Sequence, residues 1–201
     1  GTFAALVLFS ALGMCLLVMA NDLLLVFLSL ELISIASFVL VGFERKDLKA
    51  SEGAMKYFLI GAFSSAIMVY GISLYYGATG TTRLTALASF LTMGSSPIFV
   101  LAVLFLLVGF GFKISMVPFH LWVPDAYEGA PTPVTAFLSI APKVAGLAAM
   151  ARVFVQLIPH GNLDLTLLFS FFAMATMVVG NFTAIFQTNI KRLLAYSSIA
   201  Q

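Results

Sequence analysis

A chain of 201 residues with 62% hydrophobic and only 9% charged side chains cannot furnish a water-facing surface, since soluble domains carry about a quarter charged residues. Most of its exterior must therefore face lipid, and a formal net charge of +2 from sparse, interrupted basic residues excludes the basic footprint of a nucleic-acid binder. The single cysteine, Cys15, excludes an internal disulfide, an iron–sulfur cluster and a cysteine zinc site, and reads as a small buried hydrophobe.

The chain opens at Gly1-Thr2-Phe3 without a charged leader or an initiator Met, and stops at Gln201 inside a new apolar run. Both ends read as cut from a longer protein. A span needs about 20 apolar residues. Such runs predict an all-α, polytopic transmembrane bundle forming a single transmembrane domain over 1–201, with spans over about 3–20, 23–43, 52–76, 97–127, 131–157 and 163–186 and a further start from 191. Asn21-Asp22 is a turn whose aspartate caps the second span, and Ser51 with Glu52 opens the third. A Gly/Thr-rich link, 77–82, leads to a short interfacial helix over 83–93.

Pro97 sits in the first turn of the fourth segment. That segment is too long for one straight span and contains Gly109, Gly111, Pro118 and Pro124. It is expected to be a helix broken inside the membrane, where loosened backbone is tolerated only against protein or water. Lysine and arginine in short loops set orientation. Arg45, Lys46, Lys49, Lys56, Lys191 and Arg192 fall on one side, against Arg83 and Arg152 on the other. The first side is expected to be cytoplasmic.

Three ionisable residues fall near the centres of apolar segments: Glu31, Lys113 and Lys143. A charge at bilayer depth costs about 2.5–3.5 kcal/mol on insertion scales, so such residues need a reason. One reason is a buried Glu31–Lys113 ion pair that fixes packing, although such pairs are often no better than apolar residues. Lys143 would still have no acidic partner. The alternative is a proton relay, in which burial favours the neutral forms and a neighbouring opposite charge favours the charged ones, so that small changes in hydration move a proton. His120, seven residues after Lys113, would extend the relay if the helix continued; a structural, hydrogen-bonded histidine is the other reading. Asp125 and Glu128 read as solvated or capping residues, His160 and Asp164 as exposed loop residues. Lys56 and Arg152 are placed to snorkel to the headgroups. Gly109-Phe110-Gly111 follows no strand and is no dinucleotide loop.

The stretch 112–134, FKISMVPFHLWVPDAYEGAPTPV, closely resembles the signature of the antiporter-like membrane subunits of respiratory complex I. Ala141-Pro142-Lys143-Val144-Ala145-Gly146 and Tyr127-Glu128-Gly129-Ala130-Pro131 resemble the subunit N branch, and Leu30-Glu31-Leu32, Lys56-Tyr57-Phe58 and the run 191–199 agree with the family. The resemblance implies one five-helix repeat with a broken helix and the start of a second, inverted repeat. It assigns Glu31 to the family's glutamate, Lys113 to its broken-helix lysine and Lys143 to its central lysine. It further implies a multi-pass subunit of a bacterial inner membrane, packed against lipid and other hydrophobic membrane-arm subunits. Electron transfer elsewhere in an NADH:quinone oxidoreductase would drive proton pumping, with no cofactor or metal on this chain; NADH, FMN, iron–sulfur clusters and quinone would belong to the rest of the complex. A subunit of a multisubunit Na⁺/H⁺ antiporter, a related membrane-bound hydrogenase and a non-conducting membrane anchor are the alternatives.

Overall fold

In lipid every backbone N–H and C=O must find a partner within the chain, and helices are how these apolar runs supply it. The computed structural model describes residues 1–86, 97–155 and 165–201, which form helices without a strand. Helices α1 (Thr2–Met19) and α2 (Leu23–Val41) make an antiparallel pair. Each is about 27–29 Å long at 1.5 Å per residue, close to the hydrocarbon thickness. Asp22 caps α2 as expected, accepting from the Leu24 amide at 2.9 Å.

Helix α3 (Leu48–Thr79) opens three residues before the expected Ser51, because Asp47 inside the charged run accepts from the Lys49 amide at 2.9 Å and starts the helix there. It ends at Gly80, whose φ of 69° is the left-handed conformation that glycine adopts without strain. A 3₁₀ turn, Leu84–Ala86, follows; Thr82 Oγ1 donates to Asp22 Oδ2 at 2.6 Å, tying this link to the α1–α2 turn. Most of the interfacial helix expected over 83–93 lies outside the described residues.

Helix α4 starts at Pro97 and stops at Ile114. There Ser115 takes a φ of 65° and the regular ladder ends. The loosened backbone is met by protein. The Met116 amide donates to the Gly111 carbonyl at 2.8 Å, and the Trp122 indole to the Phe112 carbonyl at 3.3 Å. The Val117 amide donates to Thr176 Oγ1 at 3.1 Å. Trp122 is itself fixed by stacking on Tyr57 of α3, with centroids 3.8 Å apart and planes 9° apart. After the break come α5 (Val123–Gly129), α6 (Thr132–Val155), α7 (Leu165–Ile185) and α8 (Ile190–Ala200). Asn189 caps α8 through the Lys191 amide at 2.9 Å, so Lys191 and Arg192 lie in its first turn.

Helices α1, α2, α3, α6 and α7 are long and apolar enough to cross a membrane, and α4 carries a shorter apolar stretch, Val100–Ile114. The burial pattern is the inverse of a soluble protein. Leu8, Met19, Phe63, Ile140 and Phe182 lie more than half exposed on the outside, whereas Lys113, His120, Lys143 and several serines are buried inside. Cys15 corrects its sequence reading: it lies exposed on the outer face of α1, because the buried face of that helix carries Ser10, Gly13 and Leu17.

Candidate functional site

Helices α2, α3 and α4 converge on Glu31. It is half-buried on α2, and the Ser65 hydroxyl of α3 donates to its Oε1. Lys113, in the last turn of α4, is 2% exposed. Its ammonium donates to Ser34 Oγ of α2 at 3.2 Å, and Ser34 donates to the Leu30 carbonyl at 2.7 Å. Glu31 and Ser34 share a face of α2 at i and i+3. Together with Ser65 and Lys113 they line a cavity of about 10 Å³, roofed by Phe27, Met68 and Phe112, which is at the lower limit for one water. Among the described residues, Glu31 and Lys113 make no ion pair with each other; the ion pairs all lie elsewhere. Carboxylate and amine meet at one cavity through hydroxyls rather than in direct contact.

The stem of Lys113 reaches α6. A Cβ added at Gly146 would lie 3.3 Å from Lys113 Cγ, so the bare backbone of α6 is the surface on which this side chain rests. Lys143 lies three residues earlier on the same helix, next to Pro142, and is 8% exposed. Its ammonium donates to Ser198 O and Ser198 Oγ of α8, both at 2.7 Å, and stands 5.8 Å from the centroid of the Tyr127 ring. A cavity of about 320 Å³, lined by Ile114, Met116, Lys143, Thr176 and Ser198 among others, joins the helix break to this lysine.

His120 does not extend the Lys113 face as the sequence reading required. The helix stops at Ile114, and His120 belongs to the irregular segment before α5, where it is buried and its Nδ1 has no hydrogen-bond partner. His160 and Asp164 lie outside the described residues.

Asp125 and Glu128 are paired rather than simply solvated. Lys56 Nζ lies 2.7 Å from Asp125 and 2.6 Å from Glu52, instead of snorkelling. Lys49 contacts Glu128 at 2.6 Å, and Arg192 contacts Asp125 at 2.5 Å and Glu128 at 3.0 Å. Arg152 is exposed and donates to the Val18 carbonyl in the last turn of α1. The network ties the first turns of α3 and α8 to α5. Close backbone approach makes this possible: a Cβ at Gly53 would sit 2.6 Å from the Asp125 carbonyl oxygen.

Hydrogen bonds from Lys49 and Arg192 hold the Glu128 carboxyl below the usual carboxylate range. A carboxyl depressed in the folded state contributes stability that is present above its unfolded pKa, about 4.3, and is lost as pH falls through the lower folded value. Arg192→Gln is therefore expected to lower the thermal midpoint of the detergent-solubilised protein at pH 7 by about 2–4 °C, the shift of ~1 kcal/mol in a partly exposed network. Its midpoint should also fall less than wild type between pH 5 and 3. An equal fall in both proteins would contradict the assignment.

Residues 20–201 match the family described as NADH:quinone oxidoreductase/Mrp antiporter, transmembrane. The chain belongs to that family. Its relatives include NADH-quinone oxidoreductase subunit N of Trichlorobacter lovleyi, 50% identical over 203 residues that cover 100% of this chain and 42% of the relative. Subunit N 1 of Thermodesulfovibrio yellowstonii is 52% identical over 196 residues, covering 98% and 43%. A chain of respiratory complex I from Thermus thermophilus with bound aureothin superposes with a TM-score of 0.86 at 42% identity, over 99% of this chain and 43% of that one. A chain of an archaeal membrane-bound sulfane sulfur reductase superposes at 0.87 with 31% identity, over 98% and 41%. The chain thus spans about two fifths of the length of the relatives it matches. Family and helices together make this member of the NADH:quinone oxidoreductase/Mrp antiporter family a multi-pass membrane protein.

Sequence reading missed Ser34, Ser65 and Ser198, the hydroxyls that contact half-buried Glu31 and the buried Lys113 and Lys143. Serine is common in membrane helices, where it usually bonds the carbonyl four residues back, as Ser29 and Ser37 do here. Nothing in their spacing marks the three that also face an ionisable group.

Proposed function

We propose that this chain is part of a proton-translocating, membrane-arm subunit of a bacterial NADH:quinone oxidoreductase, and that Glu31, Lys113 and Lys143 carry the protons. The observation that supports this reading is the chemistry around the two amines. Lys113 bonds a serine hydroxyl, and Lys143 a serine hydroxyl and a carbonyl. A hydroxyl accepts from an ammonium, and after rotation donates to the lone pair of a neutral amine. Both protonation states are therefore provided for, and deprotonation strands no carboxylate in direct contact. An ion pair built only for packing would bring Glu31 against Lys113, which is not the arrangement here. Gly146 lets the stem of Lys113 rest one helical turn from Lys143, and in this reading water carries the proton between the two amines.

The drive comes from electron transfer on other subunits, where NADH, FMN, iron–sulfur clusters and quinone belong. Sister membrane-arm subunits and lipid cover the exposed apolar faces. His120 is a weaker member of the path, its imidazole being buried with one nitrogen free to bond. The family description also admits an Mrp-type Na⁺/H⁺ antiporter; relatives about 50% identical and named as subunit N favour the redox-linked complex.

Lys143→Met in the full-length subunit of the assembled complex is the test. NADH-driven acidification of membrane vesicles should fall by about tenfold or more, since one lost proton carrier need raise the barrier by only ~1.4 kcal/mol. Undiminished acidification with normal assembly would favour the structural-anchor reading, and acidification that requires sodium but not NADH would favour the antiporter.

A further inference from the structure

A second cavity, of about 420 Å³, lies between α5, α6 and α8, on the other side of Ser198 from the helix break. Its lining brings together several hydroxyls and an amine: Tyr127, Thr135, Ser139, Lys191, Ser197 and Ser198. One end is at Lys191, whose ammonium donates to the Ala130 carbonyl at 2.9 Å and the Glu128 carbonyl at 3.4 Å beside the ion network. The other end is at Ser198, which holds Lys143 through two 2.7 Å bonds. Lys143 lines only the break-side cavity. Ser198 and Tyr127 therefore stand between Lys143 and the polar cavity.

Tyr127 is 1% exposed, and its hydroxyl makes no well-formed hydrogen bond, the Ser198 side chain being the polar group it interacts with. A buried phenol normally finds one, because an unpaired hydroxyl in an apolar interior costs about 1–3 kcal/mol. Packing does not need this oxygen: the ring is already held edge-on to Trp122 at 6.2 Å, lies beneath the Lys143 ammonium, and would keep both contacts as phenylalanine. Thr135 Oγ1 donates to the Tyr127 carbonyl at 3.1 Å and fixes α5 against α6 at this point. The position of the phenol is thus set from both sides, and its oxygen lies with Ser198 at the wall of the cavity.

We propose that Tyr127 is a proton-carrying residue, linking water in this cavity to Lys143 through Ser198. The inference rests on the relay reading of Lys143. When Lys143 is neutral, protonated cavity water forms a new O–H bond to the phenol oxygen as the original phenol proton passes to Ser198 Oγ. The serine proton in turn passes to the lone pair of Lys143. Each oxygen ends with one O–H bond, the water is left neutral, and the positive charge resides on Lys143. No phenolate and no charged serine is formed, so the step avoids placing a bare charge in the apolar interior.

Tyr127→Phe in the assembled complex keeps the ring and removes only the hydroxyl. NADH-driven acidification of vesicles should fall about tenfold, with assembly and the redox activity measured with an external electron acceptor unchanged. A ring-fluorinated tyrosine incorporated at position 127 makes the phenol more acidic without altering packing. It should shift the pH dependence of pumping, with Lys143 of α6, Lys191 of α8, Tyr57 of α3 and the neighbouring Asp125 and Glu128 all left as they are. Normal pumping by Tyr127→Phe, or an unshifted pH profile with the fluorinated residue, overturns the proposal; if Lys143→Met still stops pumping, the relay stands without Tyr127. Normal pumping by both Tyr127→Phe and Lys143→Met overturns the relay as well.

Discussion

Lys113→Met is expected to reduce redox-driven proton pumping by the complete complex at least about tenfold while leaving assembly intact. Methionine is unbranched and fills the space of the lysine stem, and an apolar side chain in place of a buried charge is often neutral or stabilising. The fold should therefore tolerate the change at a site where Met68, Phe112 and Phe27 already form the walls. What disappears is the one group on α4 that contacts α2 through Ser34 and rests on α6 at Gly146. Lys113→Arg separates charge from proton exchange. Arginine keeps a cation and its donors, but its guanidinium does not deprotonate in proteins. If the cation only fixes packing, Lys113→Arg should pump normally; if a proton must leave this group, it should fail as completely as Lys113→Met. Vesicle acidification with both variants, alongside their NADH oxidation with an external acceptor, distinguishes the two.

Gly129→Ala should be the most damaging small substitution in the helix-break region. A Cβ there would lie 2.3 Å from the Lys49 carbonyl oxygen, 2.6 Å from its carbon and 2.8 Å from the Ala50 nitrogen. All three are backbone atoms in the first turn of α3 and cannot swing aside as a side chain can. Helix α5 would have to retreat, opening the Lys49–Glu128 and Lys56–Asp125 contacts. Overpacking of this kind costs about 1–3 kcal/mol, or about 2–12 °C in thermal midpoint for a chain of this size. Gly77→Ala is the matched control. Nothing lies within 4 Å of its Cβ position in the last turn of α3, and the change gains up to ~1 kcal/mol of helix propensity. Melting in detergent should place Gly129→Ala below wild type and Gly77→Ala level with or above it; the reverse order would mean that α5 is not seated on α3.

The elements were legible wherever a local signal determined them. Asp22 caps its helix because the capping bond spans two residues, and Gly109, Gly111, Pro118 and Pro124 announced a break that the ladder confirms at Ser115. The start of α3 was not legible, because Asp47 looks like one more charge in the run 44–49 until its side chain is seen on the Lys49 amide. The same reasoning explains the ion network. Apart from the i,i+4 pair of Lys56 with Glu52, its pairs join residues 64 to 79 apart, such as Arg192 with Glu128 and Lys49 with Glu128, and no spacing rule links positions that only tertiary packing brings together. Depth along a helix is a local property, so Glu31, Lys113 and Lys143 could be singled out from their apolar flanks. Their partners could not, since Ser34, Ser65 and Ser198 differ from other helix serines only in what lies opposite.

The proposed relay uses the amines of Lys113 and Lys143 in series, and a double substitution tests this most directly. Pumping by the assembled complex is compared for Lys113→Met, Lys143→Met and the two combined. Serial carriers act as a unit, so the double variant should pump no worse than the poorer single one. Losses that multiply would mean that the two lysines act independently, and undiminished pumping in all three would mean that buried charge here serves only to hold the helices together.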